Sequence, residues 1–217
     1  MLKPLISFVL LLLTFCVCDS QPNSLKEIKL PEIGKWMERS SGKPADWLGT
    51  RFQNKELIEP INVVIIDAFA KTRTESIRKL MIACQKEGYT DREGHSSGYY
   101  ARIDTNRLSQ LPDEHRRALS DRNFLFPNNH GRIMGPEYFE GKYIFVGAFS
   151  REAFRFFSRA HHVYQSFTIA RNDFCEKLGR GHIYRIIGEC NLENRINSRW
   201  ITTGDHDGEA ILLYATR

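Results

Sequence analysis

The sequence predicts an α/β or α+β fold, one domain built on a mixed β-sheet flanked by two or three helices, behind an N-terminal export signal. Three observations lead there. Ile61 to Asp67 reads Ile-Asn-Val-Val-Ile-Ile-Asp, a β-branched run of the kind that forms a strand covered on both faces. Thr72 to Glu87 carries Ile77, Leu80, Met81 and Cys84 at three- and four-residue spacing with Gly88 just beyond, an amphipathic helix with its stop signal. A strand followed at once by a helix places that strand centrally in a layered arrangement.

The chain opens with Lys3 and then thirteen residues, Leu5 to Val17, that carry no charge. A membrane span needs about 20 apolar residues. A basic start, a short apolar core and a polar sequel describe a secretory signal peptide over residues 1–18, cut near Asp19. Retention as an anchor and lipidation at Cys16 or Cys18 are the alternatives. Phe15 and Val17 are larger than the side chains that precede a lipidated cysteine.

Residues 19–59 read as a polar arm with one short helix around Glu32 to Arg39, docked through Trp36 and Trp47 because side chains of that size are costly to leave wet. Residues 60–217 form the main domain. Tyr99 to Ile103 is expected as a strand and Arg107 to Leu119 as a helix. Asn129 to Met134 and Lys142 to Phe149 are expected to pair as a hairpin across the region from Gly135-Pro136 to Gly141. Val163 to Thr168 reads as a strand, Arg171 to Leu178 as a helix closed by Gly179, and Ile183 to Gly188 and Ile211 to Thr216 as strands.

The formal net charge is +5, and loss of the signal removes only Lys3. Lys and Arg alternate with Asp and Glu along the chain, so a nucleic-acid face is excluded. Asp113 to Arg117 with Asp121 and Arg122 reads as the solvated face of a helix. The expected partner is an envelope or membrane-associated one. Cys84, Cys175 and Cys190 follow the signal, an odd number that permits at most one disulfide, and Cys84 and Cys175 fall on apolar helix faces. No Cys-x-x-Cys spacing occurs, so neither a zinc ribbon nor a thiol redox site is expected, and the reading assigns no cofactor and no metal.

Several segments together resemble the LssY C-terminal domain family. They are Pro60 to Ile66 before a helix, Asn129-His130-Gly131-Arg132 before a turn, Tyr143 to Phe149, His161-His162, and the helix Ala170 to Leu178. The match spans about Pro60 to Leu178, with Ile133-Met134 where related sequences place a larger aromatic. The resemblance implies an uncharacterised bacterial domain often fused behind phosphatidic-acid-phosphatase-type membrane domains. No second apolar stretch of spanning length follows the signal here.

The candidate site is His130, Arg132, His161 and His162, with Arg171 and Asp173 as further ligand-binding candidates beside Arg132. Two residues apart on a strand, His130 and Arg132 share a face. A guanidinium fork holds phosphate, and imidazoles perform acid–base work near neutral pH. The competing account is structural, with His130 and Arg132 tying Asp173 or backbone carbonyls. His161 and His162 point to opposite faces of an extended segment, so only one of them serves the site. His95, in Gly94-His95-Ser96-Ser97-Gly98, reads as part of a flexible loop. Gly204 to Glu209 lacks the spread of oxygen ligands of an EF-hand and reads as a turn between the last two strands. Neither Gly-x-Ser-x-Gly nor a Walker loop occurs.

Two functions follow. The chain is an exported or envelope-associated binding or accessory domain, or it is an enzyme that recognises phosphate esters or other anions through the His-x-Arg strand and a second histidine. A concave pocket around His130 and Arg132 with a third polar group favours the second; a flat or packed face favours the first.

Overall fold

Strand β3 (Val63–Asp67) is the fully buried β-branched segment. It lies inside the main sheet because β9 (Lys142–Phe154) flanks it antiparallel and β13 (Glu209–Ala215) parallel. The computed structural model describes residues 28–112, 117–154 and 162–217. The N-terminal signal and its cleavage point, residues 113–116 and His161 fall outside them.

The rest of the order is β1 (Asp46–Phe52), β2 (Lys55–Ile58), then after β3 α1 (Arg73–Lys86), β4 (Thr90–Glu93), β5 (Tyr100–Ile103), β6 (Asn106–Leu111), β7 (Arg117–Ser120) and β8 (Asn128–Phe139). After β9 come β10 (His162–Ser166), α2 (Phe167–Arg180), β11 (Tyr184–Asn191), β12 (Ile201–Thr202) and β13. The ten-stranded mixed sheet runs β11-β13-β3-β9-β8-β6-β5, with β10 on β9, β7 on β8 and β4 on β7. A small sheet, β1-β2-β12, lies beside it. This is one α+β domain with two helices among the described residues. Neither helix is long and apolar enough to cross a membrane.

Alternation along the strands makes two cores. Val63, Ile65, Ile133, Phe145 and Phe149 face Leu80 and Cys84 of α1 and Phe174 and Cys175 of α2. Val64, Ile66, Met134, Val146 and Ala148 face Met37, Ala45, Tyr99 and Ala101 from the arm and β5. The helices therefore cover one face of the sheet, and the arm with β5 and β6 covers the other. Cys84 and Cys175 are buried and unbridged, and burial pushes both thiols up.

Local chemistry explains both helix starts. The Thr72 side chain accepts from Glu75 N at 3.1 Å, the usual way an N-cap satisfies an unpaired amide. Ser166 does the same for Ile169 N at 2.8 Å. Asp205 reinforces the second cap, since its carboxylate accepts from Phe167 N at 2.7 Å and from the Tyr164 and Ser166 hydroxyls. The Gly204 to Glu209 turn is thus a clamp on α2. It leads from β12, which pairs parallel with β2 in the small sheet, to β13 in the main one.

Several sequence expectations are corrected. Glu32 to Arg39 is extended, because its amides bond outside the segment: Gly34 N to Arg102 O at 2.9 Å, Met37 N to Glu59 O at 3.2 Å and Glu38 N to Tyr100 O at 2.7 Å. A Cβ at Gly34 would come within 3.0 Å of Arg102 O, so glycine permits this approach. The apolar spacing of Ile33, Trp36 and Met37 imitates a helix without making one.

Arg107 to Leu119 is strand in its described parts, β6 and β7, each of which pairs with β8. Arg117 lies opposite Glu93 and bonds Asp91 at 2.6 Å and Glu93 at 3.1 Å, so its charge is answered across strands and does not mark a helix face. The Gly135-Pro136 region is a break in register inside β8, and the hairpin turns at Glu140-Gly141, where φ is +44° and +80°. Helix α2 passes through Gly179 and is capped at Gly181.

Candidate functional site

The site stands on the sheet face that carries no helix. In the β8–β9 ladder Asn128 lies opposite Glu152, His130 opposite Ser150 and Arg132 opposite Ala148, so six side chains project to one side. Ala148 leaves room for the guanidinium beside it. Of these, His130, Arg132 and Glu152 floor a cavity of about 300 Å³, walled by Trp47, Glu59, His95 and His162. His130 and Arg132 thus lie in a concave pocket with further polar groups.

Four segments supply the walls. Trp47 comes from β1, Glu59 from the link between β2 and β3, His95 from the loop after β4, and His162 from the first position of β10. Of the two neighbouring histidines the described one, His162, faces the cleft. The flexible-loop reading of His95 is corrected. Arg132 Nε and Nη2 bond Ser96 O at 3.2 Å and 3.1 Å, Nη2 also bonds Ser96 Oγ at 3.0 Å, and the guanidinium lies 5.0 Å from the Tyr99 ring centroid. The His95 ring is buried and stacks on His130, with centroids 4.7 Å apart.

Arg171 and Asp173, grouped with Arg132 on sequence grounds, are placed apart from it. Arg171 forms a two-pronged pair with Asp207 at 2.7 Å and 2.9 Å and bonds Glu209 O. Asp173 bonds Tyr89 and Lys177, each at 2.7 Å, on the helix-covered side. The Arg132–Asp173 pair is replaced by Arg132–Ser96, with Glu59 Oε2 3.7 Å from Nη1. The fork edge of Arg132 is used on the loop, and Nη1 remains for the cleft.

The hydrogen-bond directions around His130 follow from its neighbours. Asn128 Nδ2 donates to Glu152 Oε1 at 2.9 Å and to Phe126 O at 3.0 Å, so Asn128 Oδ1 faces His130 Nδ1 at 3.1 Å and accepts its proton. His130 Nε2 then accepts from Ser150 Oγ at 3.2 Å, and Ser150 accepts from Trp47 Nε1 at 3.1 Å. This assigns a neutral tautomer. Serine, histidine and asparagine in a row imitate a nucleophile, its base and an orienting group. Ser150 is buried, does not line the cleft and already takes up the Trp47 N–H, so the row orients His130 and does not attack a substrate.

Burial holds His130 well below the ordinary imidazole range and His95 down at about 4, with Arg132 adding to both. Burial pushes Glu152 up, and the imidazoles and the Asn128 hydrogen bond outweigh it, so its carboxyl stays well below the carboxylate range. His162 Nδ1 lies 3.1 Å from Glu152 Oε2, and that contact raises its ring above the ordinary imidazole value. Glu59 behaves oppositely. Burial raises it from 4.5 to about 7 against the pull of Arg132.

Glu59 makes stability pH-dependent with a definite sign. Because its folded pKa is raised, its contribution is fully present below 4.5 and is lost as pH rises through about 7. Two and a half pKa units correspond to about 3 kcal/mol. Urea melts of Glu59→Gln and wild type should therefore coincide near pH 4.5 and diverge upward, with the variant more stable above pH 7. Parallel curves across that range would dismiss the buried carboxyl as the cause.

Comparison with protein-family models, with curated proteins and with solved structures found no match. The site is therefore read from its own geometry. Sequence reasoning named His130, Arg132 and His162, set His95 aside as a loop residue, and missed Glu59 and Glu152. For Glu152 a signal existed: the alternation Ala148, Ser150, Glu152 continues the inward face of β9 beyond Phe149, where the apolar run stops.

Proposed function

We propose that this chain is an exported ligand-binding domain whose cleft takes a small oxyanion, the phosphate of an ester being the expected physiological form. The observation that carries the reading is Arg132 Nη1, the one guanidinium nitrogen not bonded to Ser96, which lies 3.7 Å from Glu59 Oε2 where both residues line the cleft. That carboxyl oxygen is buried and has no hydrogen-bond partner among the described residues. While Glu59 is protonated, it and Arg132 form a pair of donors on a buried positive charge, the arrangement that charge-assisted anion binding needs. Turnover of an ester would draw on His162 and Glu152 at the same cleft, so binding is the first property to establish.

The N-terminal apolar run supports the export half of the proposal. The resemblance of its segment order to the LssY C-terminal domain, with that family's membrane-enzyme associations, is in keeping with an envelope setting. Neither bears on the chemistry of the cleft.

Sulfate is the probe of choice, because its charge is constant where phosphate and Glu59 both titrate. Calorimetry should show sulfate binding that weakens as pH rises through about 7 in the wild type. Arg132→Lys should bind at least about tenfold more weakly, since the ammonium cannot bond Ser96 and still present a fixed N–H to the cleft. Phosphate and a phosphomonoester are compared at pH 6, with a thermal melt for each protein. Folded wild type that binds none of the three overturns the proposal.

A further inference from the structure

We infer that His95, His130 and Glu152 form a binding site for a divalent first-row transition-metal ion, with Zn²⁺ the best-matched. The inference is independent of the oxyanion reading. It rests on three residues, each buried, whose ligand atoms lie within 4.8 Å of one another. Any three atoms so spaced leave a point no more than about 2.8 Å from each, against the ~2.0–2.2 Å of zinc bonds to imidazole nitrogen and carboxylate oxygen. Small rotations of the rings close that difference. Glu152 Oε1 lies 3.8 Å from His130 Nδ1.

A second observation points the same way. His95 Nε2 is buried and has no hydrogen-bond partner among the described residues, on a ring that Arg132 and Ser96 keep in place. A buried ring nitrogen without a partner is costly, and a metal bond satisfies it. Two imidazoles and one carboxylate are the donor set of open zinc centres and suit ions of intermediate softness. A hard ion such as Mg²⁺ demands oxygen ligands and is disfavoured here. The carboxylate is oriented from behind, as ligands in metal centres usually are: Asn128 Nδ2 holds Oε1 at 2.9 Å and His162 lies 3.1 Å from Oε2. Three protein ligands leave further positions open toward the cleft that Arg132 and Glu59 line.

Ligation has a structural consequence at His130. In the metal-free protein Nδ1 carries the proton and donates to Asn128 Oδ1, as the amide's other bonds require. Coordination through Nδ1 puts the ion where that proton was, so Asn128 Oδ1 must withdraw from the ring, the proton is released to solvent and the ring is left protonated on Nε2. Nε2–H then donates to Ser150 Oγ, which accepts it beside the Trp47 N–H because a hydroxyl oxygen has two lone pairs. Metal binding should therefore exchange one histidine tautomer for the other.

The test uses chelator-stripped, purified protein in buffer free of phosphate and sulfate. Zn²⁺ is titrated by calorimetry, Co²⁺ serves as a spectroscopic probe, and nitrogen NMR of labelled histidine reads the tautomer. One ion per chain is expected, with the His130 proton moving from Nδ1 to Nε2. His95→Gln and Glu152→Gln should each weaken binding at least about tenfold, while His182→Gln, on the surface, should bind as the wild type does. Thermal melts accompany every variant, and should Glu152→Gln not fold, His95→Gln and the tautomer measurement decide. Folded wild type that binds no Zn²⁺, unchanged affinity in His95→Gln, or binding that leaves the His130 proton on Nδ1 would each overturn the inference.

Discussion

Phe149→Ala should lower the free energy of unfolding by about 3–5 kcal/mol, the range for removing a large buried aromatic. Phe149 is buried on the helix side, stacked on Phe174 with centroids 3.9 Å apart and met edge-on by Tyr89 at 6.1 Å. Its backbone is held as firmly: Asn62 Nδ2 donates to Phe149 O at 2.9 Å, and Phe149 N donates to Asn62 Oδ1 at 3.0 Å. The ring also lies flat on Gly131, where a Cβ would fall 2.2 Å from Phe149 Cδ1. That is why the residue between His130 and Arg132 has no side chain.

Gly131→Ala in the wild type should therefore cost about 1–3 kcal/mol through overpacking. In the Phe149→Ala background the added methyl enters vacated space, and the same change should be close to neutral. The two substitutions must couple, since they share one contact. Urea melts of the wild type, both single variants and the double variant measure it. Strict additivity would show that the ring does not set the requirement for glycine.

The second large effect lies at the centre of the sheet. Ile65 is fully buried in β3, opposite Phe145 of β9 and Leu213 of β13, in the core that α1 and α2 cover. Strands on both sides limit how far the backbone can collapse into a cavity. Ile65→Ala should accordingly cost about 2–5 kcal/mol. A midpoint that moves by less than about half a kcal/mol equivalent would remove β3 from its central place.

The reading from sequence succeeded where one short-range period governs a segment. The run through Val63 to Ile66 is buried on both faces, and the Leu80 and Cys84 spacing with Gly88 delimits α1 to within a residue or two. It failed where local spacing imitates another structure. Ile33, Trp36 and Met37 are spaced as on a helix, but the donors of that arm are taken by Glu59, Tyr100 and Arg102, partners distant in the chain. The stretch after Arg107 is rich in charge, and only the cross-strand pairs of Arg117 with Asp91 and Glu93 reveal it as sheet.

The same division runs through the site. A period of two places His130 and Arg132 on one face whatever surrounds them, and the structure keeps them there. Sequence by itself also reached the pairing of the two strands that carry them, but it put Gly135-Pro136 in the turn, where β8 continues to Phe139. Which other groups join them was decided only in three dimensions. Glu59 and His95 arrive from a strand link and a loop, Glu152 from the polar end of β9 where the apolar signal has faded, while Arg171 and Asp173 are drawn off to Asp207, Tyr89 and Lys177. The physical reason is that periodicity records which way a side chain points from its own strand. The partner it meets depends on which distant segment packs over that face, here a loop fixed by two hydrogen bonds from Arg132 to the Ser96 carbonyl.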